Sequence, residues 1–187
     1  MRNFSESFAK AIYGDNCAAC HGSGGEGAEG LFPNLADDAW LYGADMETII
    51  ESITDGREGS MPAHQDMVDD GDIEKLADFV LASAEGKGSE KGLVLFNESG
   101  CADCHGEDAK GSFINDLGTG AANLTDAIWR FGNSREDVLR TIRYGVNADP
   151  EEVPQTRIAM MPAFGEKLSP EAIKMLAVKV HEFGGGK

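Results

Sequence analysis

The feature that most restricts this chain is a duplication built on two copies of one short cysteine–histidine motif. Cys17-Ala18-Ala19-Cys20-His21-Gly22 returns as Cys101-Ala102-Asp103-Cys104-His105-Gly106, an offset of 105 − 21 = 84. The block from Asn34-Leu35 to Trp40-Leu41-Tyr42-Gly43 is echoed from Asn123-Leu124 to Trp129-Arg130-Phe131-Gly132, an offset of 129 − 40 = 89. Ile53-Thr54-Asp55-Gly56 and Ile142-Arg143-Tyr144-Gly145 keep that offset, and Met61-Pro62-Ala63 returns as Met161-Pro162-Ala163 at 161 − 61 = 100. Order is preserved and spacing grows only between blocks, so one module has been duplicated, with insertions in the second copy. Small and charged residues with two glycines over 83–90 read as a junction. The expected domains are therefore 1–84 and 91–187, joined by a linker at 85–90.

The pattern within each copy is helical. Phe8, Ala9, Ile12 and Tyr13 share one side of a helix running into the first cysteine, and residues 91–97 take that part in the second copy. Ile49, Ile50 and Ile53 are matched by Val138, Leu139 and Ile142 on a second helix. A closing helix follows in each copy. The last begins at Ser169-Pro170, an N-cap followed by proline at the first helical position, and is stopped by Gly184-Gly185-Gly186. No stretch alternates with period two for long, so the fold class is all-α with no sheet expected.

Two domains of under about 100 residues have thin cores and usually need a staple such as a disulfide, metal or cofactor. The formal net charge of −17 makes nucleic acid and anionic membrane surfaces poor partners and favours a redox partner with a basic face. No apolar run is long enough for a membrane helix, so no membrane insertion by this chain is expected. The start of the chain lacks a signal-peptide pattern, so export or anchoring is expected to come from a segment not present in it.

C-x-x-C-H is the attachment motif of c-type haem: the thiols of Cys17 and Cys20, and of Cys101 and Cys104, form thioethers to the porphyrin, and His21 and His105 ligate iron. Two copies predict two haems c. A sixth ligand must come from elsewhere in the chain, and the repeated Met-Pro-Ala offers Met61 and Met161. Met160 is a rival that the repeat disfavours, because Met161 aligns with Met61. A zinc site is poorly supported, since the cysteine pairs sit in separate repeats. A dithiol redox motif lacks its strand–helix context. His64 and His181 have no repeat equivalents and read as surface residues, although either can ligate a haem that has lost its methionine. Trp40 and Trp129 are candidates to donate an indole N–H to a haem propionate, and Arg57 to neutralise one. The second copy has Val146 in place of Arg57, with Arg130 and Arg143 as substitutes. The Pro33 carbonyl is positioned in sequence to orient His21, and Ala122 stands there in the second copy.

With these residues in hand, each half resembles a class I cytochrome c domain. The blocks around Trp40 and Trp129, Met161-Pro162-Ala163-Phe164-Gly165 and the closing residues 180–186 are similar to the dihaem subunit of cbb3-type cytochrome c oxidases. That resemblance implies two tandem class I domains and the axial pairs His21/Met61 and His105/Met161. It also implies a periplasmic relay of electrons from an upstream cytochrome to the haem–copper subunits of the oxidase, with no catalysis by the chain alone. The family's membrane anchor is missing here, and the long stretch from Ile142 to Met161 resembles the family's first haem domain although it stands second. A free periplasmic dihaem shuttle of the cytochrome c4 kind is the alternative. A dihaem peroxidase or thiosulfate dehydrogenase is disfavoured, because it needs an open iron position that paired methionines would close.

Overall fold

In the computed structural model, which describes residues 2–28 and 30–185 (without the side chains of 2–5 and 113), the chain order is helical with one minimal ladder. The elements are α1 (Arg2–Asn16), α2 (Ala18–His21), α3 (Met46–Asp55), β1 (Arg57–Glu58), α4 (Asp70–Ala84), α5 (Glu90–Glu98), α6 (Ala102–His105), α7 (Gly111–Ile114), α8 (Arg135–Tyr144), β2 (Met160–Met161) and α9 (Pro170–His181). Gly186, the last of the three glycines expected to stop α9, lies outside the described residues.

Local chemistry sets the helix ends. Asp45 caps α3, its carboxylate accepting from the Glu47 and Thr48 backbone N–H groups at 3.0 Å each. Ser134 caps α8 through the Asp137 N–H, and Ser169 caps α9 through the Ala172 N–H, ahead of which Pro170 opens the helix. Gly56 and Gly145 end α3 and α8 with positive φ, 74° and 67°. That conformation penalises any residue carrying a Cβ.

The packing departs from the expected division into 1–84 and 91–187. One compact unit joins Met1–Glu58 to Met160–Lys187, and the other is the continuous stretch Gly59–Ala159. The first unit packs α9 against α1 and α3, burying Tyr13, Ile49, Ile53, Ile173, Leu176 and Val180. The second packs α4 against α5 and α8, burying Ile73, Leu76, Phe79, Phe96, Val138 and Ile142. Residues 85–90 are therefore not a domain linker. They form the turn between two helices of the same unit, with the Lys87 N–H donating to the Ala82 carbonyl at 2.7 Å.

Each half of the sequence has given its Met-Pro-Ala loop and closing helix to the other half. Only residues 58–60 separate Arg57 from Met61, and residues 59 and 60 form no turn, so the chain runs on from β1 instead of doubling back onto α3. The sheet that sequence did not anticipate is a product of this crossing. β1 pairs antiparallel with β2, Arg57 opposite Met161 and Glu58 opposite Met160. In the second unit Met61 bridges Val146, exchanging N–H···O bonds of 3.0 and 2.9 Å. The two repeat glycines fit this arrangement: a Cβ on Gly56 would run into the Met161 carbonyl oxygen, and one on Gly145 into that of Met61.

Candidate functional site

In the first unit, α1 delivers Cys17 into one further helical turn. Its N–H donates to the Tyr13 carbonyl at 2.8 Å, and the N–H groups of Cys20 and His21 donate back to the Cys17 carbonyl at 3.1 and 2.9 Å. That turn sets residues i, i+3 and i+4 on one side, so both sulfurs and the imidazole face the same way. The Tyr13 hydroxyl donates to the Gly22 carbonyl at 2.9 Å and ties down the exit of the turn. Burial first, and the neighbouring cysteine second, push the Cys17 thiol up to about 11. A nucleophilic redox cysteine is shifted the other way, so Cys17 has the character of a protonated, structural thiol. His21 Nδ1 lies 3.0 Å from the Pro33 carbonyl oxygen, which can only accept. The proton therefore sits on Nδ1, and Nε2 is the basic nitrogen.

The same parts recur in the second unit. The His105 N–H donates to the Cys101 carbonyl at 3.0 Å, and Nδ1 donates to the Ala122 carbonyl at 2.8 Å. Orienting the imidazole needs only a carbonyl, so Ala122 serves where the first copy has Pro33. Phe96 meets the His105 ring at 6.2 Å in an edge geometry. Burial lowers the His105 pKa, which keeps the imidazole neutral with a lone pair available. Burial likewise pushes the Cys101 thiol up to about 11. None of the four cysteines is paired in a disulfide.

The methionines are where the structure corrects the expectation most. Met161 packs on the core of the first unit together with Cys17, and Met61 packs on the core of the second together with Cys101. The sulfur in the unit of His21 is thus that of Met161, and the sulfur in the unit of His105 is that of Met61. The pairing His21/Met61 and His105/Met161 follows chain order, which the crossing overrides. Met160 is 60% exposed, so the packed methionine of β2 is Met161.

Other expected contacts sort differently. The Trp40 indole N–H donates to the Asp37 carbonyl at 2.8 Å. An indole has only that one donor, so Trp40 is removed as a propionate donor. Trp129 packs at the edge of the second core and keeps that candidacy. Arg57 lies over the Tyr42 ring at 4.5 Å and binds Glu51 and Ser52, so its charge is already partly compensated. In the second unit Arg130 and Arg157 both lie over Phe131, the equivalent of Tyr42, at 5.0 and 5.4 Å, and Arg157 also binds Asp137 at 2.9 Å. Arg157 reaches that place because the inserted stretch folds back and bridges Val146, the residue aligned with Arg57. The growth in spacing before Met161 was the only sequence signal for it. His64, expected at the surface, is 7% exposed, whereas His181 is exposed as expected.

Two thiols and an imidazole on one helical turn, with a thioether packed on the same core, form a donor set that fits one c-type haem per unit. In the second unit, the buried Nε atoms of Arg143 and Arg157 have no hydrogen-bond partner, which suits a site completed by an anionic group such as a propionate.

Comparison with known proteins gives the family. The family model for cytochrome c oxidase, cbb3-type, subunit III matches residues 8–80 and again 89–178, once per sequence repeat. The chain belongs to that family. The cbb3-type cytochrome c oxidase subunit FixP of Azorhizobium caulinodans is 39% identical across the whole chain, and that of Bradyrhizobium diazoefficiens is 40% identical over 95% of it. The subunit CcoP of Azospirillum brasilense is 34% identical over 98%. The chain spans about three fifths of the length of these relatives, 62%, 61% and 64% respectively. As a subunit III family member it carries two cytochrome c domains on a largely helical framework. Among the described residues, no helix is long and apolar enough to cross a membrane.

Proposed function

We propose that this chain holds two haems c and relays electrons to the catalytic subunits of a cbb3-type oxidase on the periplasmic side of the membrane. The observation that carries the reading is the convergence, in each unit, of a C-x-x-C-H turn and a methionine from the other sequence repeat. When bound, the haem iron supplies a one-electron ferrous–ferric couple. The residues do the rest. Cys17/Cys20 and Cys101/Cys104 tether the porphyrins, while Pro33 and Ala122 fix the tautomer and orientation of His21 and His105. Met161 closes the site of His21 and Met61 that of His105, each thioether favouring the softer reduced iron. The net charge of −17 draws in an electron donor with a basic docking face, and other subunits of the cbb3-type oxidase to which the relatives belong are the acceptor.

The test begins with protein matured in a host that attaches haem c. Its mass should carry two porphyrin increments and its reduced spectrum two low-spin c-type centres; a colourless product overturns the proposal. Capture of the full-length gene product from native membranes should bring oxidase subunits with it. Recovery as a free carrier would retain the haems but remove the oxidase.

A further inference from the structure

His64 is a buried histidine of the second unit whose imidazole the relay does not use. It follows Met61 by three residues and is 7% exposed, and its Nδ1 is buried without a hydrogen-bond partner. Its backbone is locked: the N–H donates to the Ile142 carbonyl at 3.2 Å, and its carbonyl accepts from Met67 and Val68 at 3.1 and 3.0 Å. The ring is therefore held in place although nothing in the polypeptide binds that nitrogen. Burying an imidazole nitrogen unpaired is costly, and the cost is removed when a partner occupies it. Met61, three residues before His64, packs on the same core as Cys101, so His64 belongs to the unit that carries the second attachment turn. In the first unit the corresponding residue, next after Met161-Pro162-Ala163, is Phe164, which packs on the core and offers no donor atom.

We infer that His64 is a reserve axial ligand at the His105 site: when the Met61 sulfur leaves the iron, the His64 imidazole takes its place, so this site stays closed to small ligands whereas the His21 site opens. The inference rests on the haem reading above and on the pairing of Met61 with His105. Imidazole is a good iron ligand that lowers the potential relative to a thioether, so the exchange gives the second site a low-potential state that the first lacks. A hydrogen bond from His64 to a propionate or to the Met61 sulfur is the competing role, and it leaves the iron open once Met61 is removed.

Matured holoprotein of Met61→Leu, Met161→Leu and the double variant Met61→Leu/His64→Phe separates these roles; leucine keeps the side-chain volume, and Met61→Ala repeats the comparison should leucine disturb packing. Ferric electron paramagnetic resonance and carbon monoxide uptake by the reduced protein are the readouts. Met161→Leu should convert one haem to high spin and bind one carbon monoxide per chain. Met61→Leu should leave both haems low-spin and carbon monoxide uptake at the wild-type level, and the double variant should behave like Met161→Leu. Uptake of one carbon monoxide by Met61→Leu alone, or loss of its second porphyrin, overturns the role of His64. A wild-type protein lacking porphyrin at Cys101 and Cys104, or a Met161→Leu protein with unchanged spectra, overturns the haem reading itself.

Discussion

Cutting the chain where its sequence repeat ends should destroy a domain, whereas cutting it where the packing ends should release one. A fragment of residues 1–84 keeps α1, α2 and α3 but loses α9, and with it Ile173, Leu176 and Val180, which are 3%, 0% and 7% exposed. Burying an aliphatic side chain of this size stabilises by about 1.5–3 kcal/mol, so the three together contribute about 5–9 kcal/mol. A domain's whole stability is about 5–15 kcal/mol, which leaves this fragment at or below the folding threshold. The fragment 59–159 retains every residue of its own core, from Ile73 to Ile142. It should fold alone, attach one haem and melt cooperatively. Since Glu58 and Met160 are cross-strand partners, joining 1–58 to 160–187 through a two-residue Asn-Gly hairpin turn should rebuild the first unit as well. Circular dichroism melts, limited proteolysis and haem content of the three polypeptides decide the matter. Cooperative unfolding and a methionine-ligated haem in 1–84, with 59–159 unfolded, would refute the crossing.

Three further outcomes are expected. Leu176→Ala and Leu76→Ala, at positions 0% and 1% exposed, should each cost about 2–5 kcal/mol, but the first should perturb the spectrum of the His21 site and the second that of the His105 site. Asp45→Ala should cost about 1 kcal/mol in a denaturant titration through loss of the α3 cap. The Thr48 hydroxyl and backbone N–H hold the Asp45 carboxyl below its ordinary value, so the cap is at full strength above the unfolded pKa of about 3.9. It fades as pH falls through the lower folded value, and the wild-type advantage should vanish there. Raising ionic strength from about 0.01 to about 0.15 M shortens screening from about 30 to about 8 Å, and stopped-flow reduction by a basic cytochrome should slow about tenfold or more; a salt-independent rate would exclude electrostatic docking.

The attachment turns were legible because their chemistry is local. Five consecutive residues place two sulfurs and an imidazole, and no distant contact alters that. The exchange of closing helices was hidden for the opposite reason: α4 and α9 present the same inward residues, Ile73, Leu76, Ala77 and Val80 against Ile173, Leu176, Ala177 and Val180. A periodicity argument cannot tell which partner such a face prefers. The discriminating pairs lie at the edges of those faces. Phe79 packs on Phe96 and fills the space left by Gly92, whereas the position of α1 equivalent to Gly92 carries Phe8. Phe183 sits edge-on to Tyr13 at 5.1 Å, where α4 has only Ser83. Bulk matched to a gap is a signal that sequence contains, but it is read only once two helices are known to meet. The burial of His64 and the capture of the Trp40 N–H by Asp37 escaped for a similar reason, since both depend on how a loop folds back.

The crossing inverts the order in which the halves can mature. Every contact of the second unit is available once Ala159 has been made, so that unit closes over a continuous stretch of chain. The first unit must wait for Tyr13 to meet Phe183 across 183 − 13 = 170 residues, and contacts so distant in sequence form slowly. The cysteines made first therefore remain longest in an unfinished pocket, while the pair made later is the first to be enclosed.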